Sequence, residues 1–186
     1  DFPKEYQPQP MDEQEYKYDN HPRDKVSWYQ AVAFTRWLTA KYRAVGLLKE
    51  GEEIRLPTEE EWEYAARGTD ERKYPYPGEY DATKCNTGDT NIDMTSAVGC
   101  FPDGASPFGV LDMSGNTDEW CLNEYRNPSV ININDSTNSR VLRGGAFDII
   151  SNDAASAFRD SYNRSYSGFR SGCRVVLSPP IRASDL

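Results

Sequence analysis

Apolar residues come in short bursts along this chain, and the period changes from burst to burst. After Trp28, the apolar positions Ala31, Phe34, Leu38 and Val45 follow at near-helical spacing. They predict an amphipathic helix opened by the S-x-x-Q capping box Ser27–Gln30 and stopped by Gly46. On this pattern Trp28 and Trp37 are expected in the core rather than lining a pocket. A second helix is predicted over TEEEWEYAARG, with Thr58 as N-cap, Glu61 at the reciprocal position, an acidic first turn that suits the helix dipole, and Gly68 at the close. Capping and solvation account for Glu59, Glu60, Glu61 and Glu63 better than a metal or acid–base cluster does. From Tyr74 to Pro107 no period survives and Pro, Gly, Asn, Asp and Thr dominate, which reads as a long ordered loop region that serves binding or needs a tie. Phe108 to Cys121 combines a short strand with a turn in which Asp112, Asn116, Asp118 and Glu119 surround a glycine. Toward the end, Val141-Leu142 and Val175-Val176-Leu177 read as short buried strands enclosing a polar stretch dotted with aromatics.

Composition narrows the function classes. A chain of 186 residues fits one domain with a substantial core, and a hydrophobic share of 37% implies much loop. Lys and Arg number 21 against 30 Asp and Glu, a net charge of -9 with no basic run, which argues against a nucleic-acid partner. No apolar run approaches the ~20 residues of a membrane helix, and no signal-peptide pattern opens the chain. Membrane insertion is therefore not expected, and a soluble, cytoplasmic setting is favoured over a secreted one. Four widely spaced cysteines, Cys85, Cys100, Cys121 and Cys173, with a single histidine, His21, exclude an ordinary Cys/His zinc site and are expected as free thiols. No G-x-S-x-G, phosphate loop or dinucleotide fingerprint occurs, and no Ser-His or Cys-His pair is available within the domain, so no catalytic residue is expected. Residues 1–25 read as a Gln/Pro/Tyr-rich arm, which suggests a piece of a longer chain, 26–180 as the domain and 181–186 as a tail.

One tract departs from the rest. From Gly144 to Leu186 there is no Lys, Glu, Gln, Met or Trp, although residues 1–143 hold 32 of them and uniform usage would place about ten in the last 43. These five residue types are the ones that an Asn codon cannot become by changes in its first two bases. A segment written by randomising adenines in Asn codons would carry Asp, Ile, Ser, Ala, Phe, Tyr, Gly, Arg, Cys and residual Asn, as this one does.

The motifs VSWYQAVAF (Val26 to Phe34), RLPTEEEWEYAARG (Arg55 to Gly68), FGVLDMSGNTDEWC (Phe108 to Cys121) and RVLRGGAF (Arg140 to Phe147) stand in this order. Together they strongly resemble the formylglycine-generating, sulfatase-modifying-factor family over about Val26 to Leu177. The resemblance implies an α+β, C-type-lectin-like fold with few short helices and strands and much ordered loop. It also implies two copper-binding, redox-active cysteines shortly after the R-G-G element, positions that fall here near Ile149 and Ala154. Aliphatic side chains cannot replace thiols in that chemistry, so no copper is expected. The same fold resembles that of variable proteins of diversity-generating retroelements, whose hypervariable tract ends the lectin domain and is mutated at adenines.

The resulting expectation is a non-catalytic ligand-binding domain with 144–174 as its variable tract. The displayed residues would be Asp148, Ile149, Ile150, Asn152, Phe158, Asp160, Tyr162, Asn163, Arg164, Tyr166, Phe169 and Arg170, facing a protein or other macromolecule. Alternatives are an oxidase of sulfatase cysteine working through Cys121 or Cys173, and a regulatory module fused to an upstream effector. Family calcium positions imply a structural ion held by the carboxylates of Asp112 and Glu119 and the carbonyls of Gly115 and Thr117.

Overall fold

The computed structural model describes residues 11–133 and 138–179. The first ten residues of the arm, and the tail expected over 181–186, lie outside the described residues.

Both capping boxes form. Helix α1, Trp28–Ala44, begins where the Ser27 side chain accepts from the Gln30 amide while the Gln30 side chain reaches back to the Ser27 amide. Helix α2, Glu59–Arg67, begins on the same reciprocal pair between Thr58 and Glu61, and Gly68 follows it with φ 65°. Six short strands complete the frame: β1 Glu53–Arg55, β2 Asp118–Glu124, β3 Arg140–Arg143, β4 Asp160–Tyr162, β5 Ser171–Gly172 and β6 Val176–Ser178. The main sheet has the order β4-β3-β2-β5, with β5 parallel to β2 and the other pairs antiparallel. A separate antiparallel pair joins β1 to β6. Tyr74 to Pro107 contains only two single 3-10 turns, Gly88–Thr90 and Pro102–Gly104, as a loop region should.

The core lies on both faces of β2 and β3. One cluster gathers Trp28, Tyr29, Val32, Leu56, Trp120 and Leu142, the other Trp62, Ala66, Met113, Cys121 and Val141. Successive residues of a strand point to opposite faces, so β3 alternates Arg140 and Leu142 with Val141 and Arg143. Each arginine lies against an indole: Arg140 is 4.6 Å from the Trp28 ring centroid and Arg143 is 5.3 Å from that of Trp62.

Three expectations are corrected here. Only the start of α1 is buried, through Trp28, Tyr29, Gln30, Ala31, Val32 and Thr35. Phe34, Trp37 and Val45 are 44%, 53% and 67% exposed, because α1 buries the face that carries Ala31, Val32 and Thr35 and turns Phe34 and Trp37 to solvent, and Trp37 stacks on Phe34 rather than entering the core. The strand of the Phe108-to-Cys121 motif lies after its turn, beginning at Asp118. Val175 and Leu177 are exposed, and β6, which pairs only with β1, is the outer strand of a two-stranded ribbon that meets α1 through β1.

The described part of the arm is folded onto the domain. Asp24 is fully buried and its carboxylate accepts from the amides of Glu15 at 3.0 Å and Tyr16 at 3.2 Å. The Asn20 carbonyl accepts from the Val98 amide at 2.8 Å, and His21 Nδ1 lies 2.8 Å from Thr95 Oγ1.

Candidate functional site

The tract uses the sheet twice. It leaves at the end of β3, returns as edge strand β4, leaves again and comes back on the opposite edge as β5, so its loops run from one side of the sheet to the other. Gly144 and Gly145 make the first exit at φ 90° and 72°. A Cβ on Gly144 would lie 3.1 Å from the Trp62 ring, and one on Gly145 2.8 Å from the Asp153 carbonyl, so neither position tolerates a side chain. Arg143, 1% exposed, then holds the returning leg. Its guanidinium donates to the carbonyls of Ser156 at 2.7 Å and Ala157 at 3.2 Å and to the α2 carboxylates of Glu59 at 3.1 Å and Glu63 at 2.5 Å.

On this frame Asp148, Ile150, Asn152, Asn163 and Phe169 are exposed, and Ile149, Phe158, Asp160, Tyr162, Tyr166 and Arg170 are half-buried. Arg164 differs from the expectation. It is 4% exposed, and its guanidinium lies over Tyr29 at 5.0 Å and Trp28 at 5.6 Å, so it belongs to the frame rather than the displayed face.

The remaining residues form two groups. In the first, the Tyr162 and Tyr166 rings stack with centroids 4.0 Å apart at 11°. Arg170 ties this pair to two carboxylates: Nη2 donates to the Tyr162 hydroxyl at 3.0 Å, Nε lies 3.3 Å from Asp118 Oδ2, and Nη1 lies 3.6 Å from Asp148 Oδ1. Burial pushes the Asp118 carboxyl up to about 7, with Arg170 opposing the rise and the nearby Asp160, Asp148 and Glu119 adding to it. Phe169 packs 5.9 Å from Phe147, which meets Tyr16 of the arm edge-on at 5.5 Å, while Ser167 Oγ donates to Asp12 at 2.7 Å. In the second group the tract is tied to the long loop region. The Ile149 carbonyl accepts from the Gly88 amide at 2.8 Å, the Ser151 amide donates to Asp89 at 3.2 Å, and Lys73 Nζ donates to Asn152 at 3.0 Å. Phe158 closes a turn on the Ala155 carbonyl between the two groups. Sequence reasoning missed Asp118, Phe147 and Tyr16 as members of the first group. The one available signal was the oxygen-rich turn, which was read for a cation instead.

The expected calcium set does not fit a cation in this arrangement. Arg174 Nε and Nη2 donate to the two Glu119 carboxylate oxygens at 2.9 Å each, and Nη2 also reaches the carbonyls of Leu111 at 3.0 Å and Asp112 at 3.2 Å. The Trp62 indole donates to the same Glu119 carboxylate at 2.7 Å, the Asp112 carboxylate accepts from the Gly99 amide at 2.7 Å, and the Gly115 carbonyl accepts from the Thr117 amide at 3.0 Å. A guanidinium thus sits among the oxygens that a hard cation would need. Among the described residues no three His, Cys, Asp or Glu side chains gather as a metal site.

The thiols are equally occupied with packing. All four are free, and only Cys100 is exposed. Burial pushes the Cys121 thiol well above its ordinary value and the Cys173 thiol up to about 12, the opposite of what a nucleophile or soft-metal ligand needs. Ile149 and Ala154, near which the resemblance places the two cysteines, are half-buried and fully buried.

Among the described residues no helix is long and apolar enough to cross a membrane. The chain is 32% identical over 167 residues to the serine/threonine-protein kinase pkn1 of Chlamydia caviae, covering 82% of this chain and 24% of the kinase. It is 35% identical over 117 residues to the formylglycine-generating enzyme of Thermomonospora curvata, covering 55% of this chain and 33% of the enzyme. It therefore spans about a quarter to a third of the length of these relatives. In fold it resembles Treponema denticola variable protein 1, with a TM-score of 0.71 at 22% identity, over 91% of this chain and 76% of that one. The model of the sulfatase-modifying factor enzyme 1-like domain matches residues 3–179, nearly the whole chain, and the protein belongs to that family.

Proposed function

We propose that this domain is a non-catalytic ligand-binding module, a variable protein of a diversity-generating retroelement, whose tract 144–174 presents an interchangeable face to a macromolecular partner. The observation that carries this reading is the division of labour within the tract. Arg143, Gly144, Gly145 and Arg164 make the close-packed contacts, while Asp148, Ile150, Asn152, Asn163 and Phe169 point outward and contribute little to packing. Tyr162, Tyr166, Phe169 and Arg170 supply large contact surfaces at modest entropic cost, and Asn and Ser supply adaptable hydrogen bonds, the chemistry of a paratope. The absence of five residue types from Gly144 onward supports the same reading, as does the fold shared with a variable protein.

The encoding DNA tests it. A near-identical copy of the tract downstream, differing almost only at adenines, is the expected result, and a flank without such a copy counts against the retroelement. The oxidase alternative is tested by mass spectrometry of a sulfatase-type cysteine peptide incubated with the protein, copper and oxygen. Conversion that depends on Cys121 or Cys173 would overturn the non-catalytic reading. A second reading, a recognition module joined to an effector, draws on the kinase relatives, in which the matching region is a quarter of the protein.

A further inference from the structure

A cavity of about 360 Å3 opens between the arm, the first turns of α1 and the turn before β2, and its lining shares no residue with the displayed set. Its volume lies at the small end of the ~300–1,000 Å3 typical of small-molecule sites. Val26, Phe34, Val98 and Cys173 give it apolar walls, and Arg23, Asp112, Glu119 and Arg174 give it charged groups. Arg23 is turned to Asp24, at 3.9 Å, and to the Asp12 carbonyl. Arg174 is committed to both oxygens of Glu119 and to two carbonyls, so that pair neutralises itself. Asp112 receives the Gly99 amide on Oδ2, and no Lys, Arg or His nitrogen is within ion-pair distance of it among the described residues. Asp112 is therefore the one lining charge outside a direct ion pair, with Arg174 acting on it from further off, and it shares the cavity with the apolar walls, which favours a cation that brings its own apolar body. At the mouth the Phe34 ring stacks on Trp37 at 5.8 Å, and both are exposed, leaving aromatic faces that suit a cation approaching from solvent. The net charge of -9 adds a long-range attraction of the same sign.

We propose that this cavity is a second binding site, for a small organic amine with an aromatic or branched aliphatic body. The ammonium sits on Asp112 and the body lies against Val26, Phe34 and Val98. The site shares no residue with the displayed set and stands whether or not that set is variable.

The probe is 2-phenylethylamine, with 2-phenylethanol as its uncharged counterpart of similar shape, titrated into EDTA-dialysed protein and followed by calorimetry and amide NMR. The amine is expected to bind saturably, shifting Val98 and Gly99 resonances and leaving those of Tyr162 and Tyr166 in place, and to bind at least tenfold more tightly than the alcohol. Asp112→Asn is expected to bring the two probes within about twofold of each other. Val98→Trp, a substitution of a 61% exposed rim residue, should abolish both. Thermal melting verifies that each variant is folded. No saturable binding by the parent protein, or equal affinity for amine and alcohol in it, would overturn the proposal even if Asp112→Asn fails to fold. So would a preference for the amine that survives in a folded Asp112→Asn.

Discussion

Arg143→Met asks whether the tract hangs on its frame as described. Methionine keeps an apolar stem beside Trp62 and removes the guanidinium. Four contacts disappear, two to carboxylates and two to carbonyls. Removing one partner of a buried ion pair costs ~3–5 kcal/mol. Glu59 keeps Arg159 at 2.9 Å and Glu63 keeps Arg67, so the carboxylates are not abandoned and the lower part of that range applies. The buried Ser156 carbonyl loses a donor, at ~1–3 kcal/mol for an unsatisfied group, while Ala157 is exposed and its carbonyl can turn to water. A loss of at least ~3 kcal/mol follows, or a drop in Tm of at least ~6 °C for a chain of this size. Phe169→Ala is the comparison. Its ring is 44% exposed and meets Phe147 at 5.9 Å, so a loss of no more than ~1 kcal/mol is expected. Both values are read from urea denaturation followed by circular dichroism. Equal losses for the two variants, or a loss below ~1 kcal/mol for Arg143→Met, would refute the division between frame and display.

Further predictions follow from single side chains. The Asp118 carboxyl, raised to about 7 in the fold, holds a proton that the unfolded chain has already lost above about 4. Its contribution to stability should therefore fall as pH rises from about 4 to about 7 and be flat above, and the difference in unfolding free energy between wild type and Asp118→Asn should change across that window. A difference independent of pH would contradict the burial of that carboxyl. Because Arg174 holds both oxygens of Glu119, EDTA should leave the melting temperature unchanged, while Arg174→Met should cost ~3 kcal/mol by removing the cation from a carboxylate that is 7% exposed and keeps only the Trp62 indole. A fall in melting temperature on chelation would restore the calcium reading. With a disulfide-exchange reagent, Cys100 should react promptly in the native protein, and Cys85 and Cys121 only on unfolding.

Local signals were legible where a few neighbouring residues decide the outcome. The capping boxes at Ser27 and Thr58 needed only their own i+3 partners, and both helices start where those residues predict. What the sequence concealed depends on distant partners. Phe34 and Trp37 carry the helical period but lie on the face of α1 that turns to solvent, while Ala31, Val32 and Thr35 take the buried face. Arg164 looked like any other arginine of a polar tract, and only the arrival of Trp28 and Tyr29 from residues 135 positions or more away buries it. The Glu119 carboxylate had the spacing of a cation ligand, and the guanidinium that claims it comes from Arg174, 55 residues along the chain. Tyr162 and Tyr166, expected as freely substitutable, also pack against the Trp28 cluster, so changing either should cost ~1 kcal/mol rather than nothing.

The central claim is tested most directly by randomising Asp148, Ile150, Asn152, Asn163 and Phe169 together and sorting the displayed library for resistance to protease, a readout of folding that requires no ligand. The account predicts that most clones remain folded, with diverse residues at all five positions and melting temperatures within a few degrees of the parent. Recovery of only the parental residues, or their close analogues, would show that these side chains hold the domain together and would contradict it.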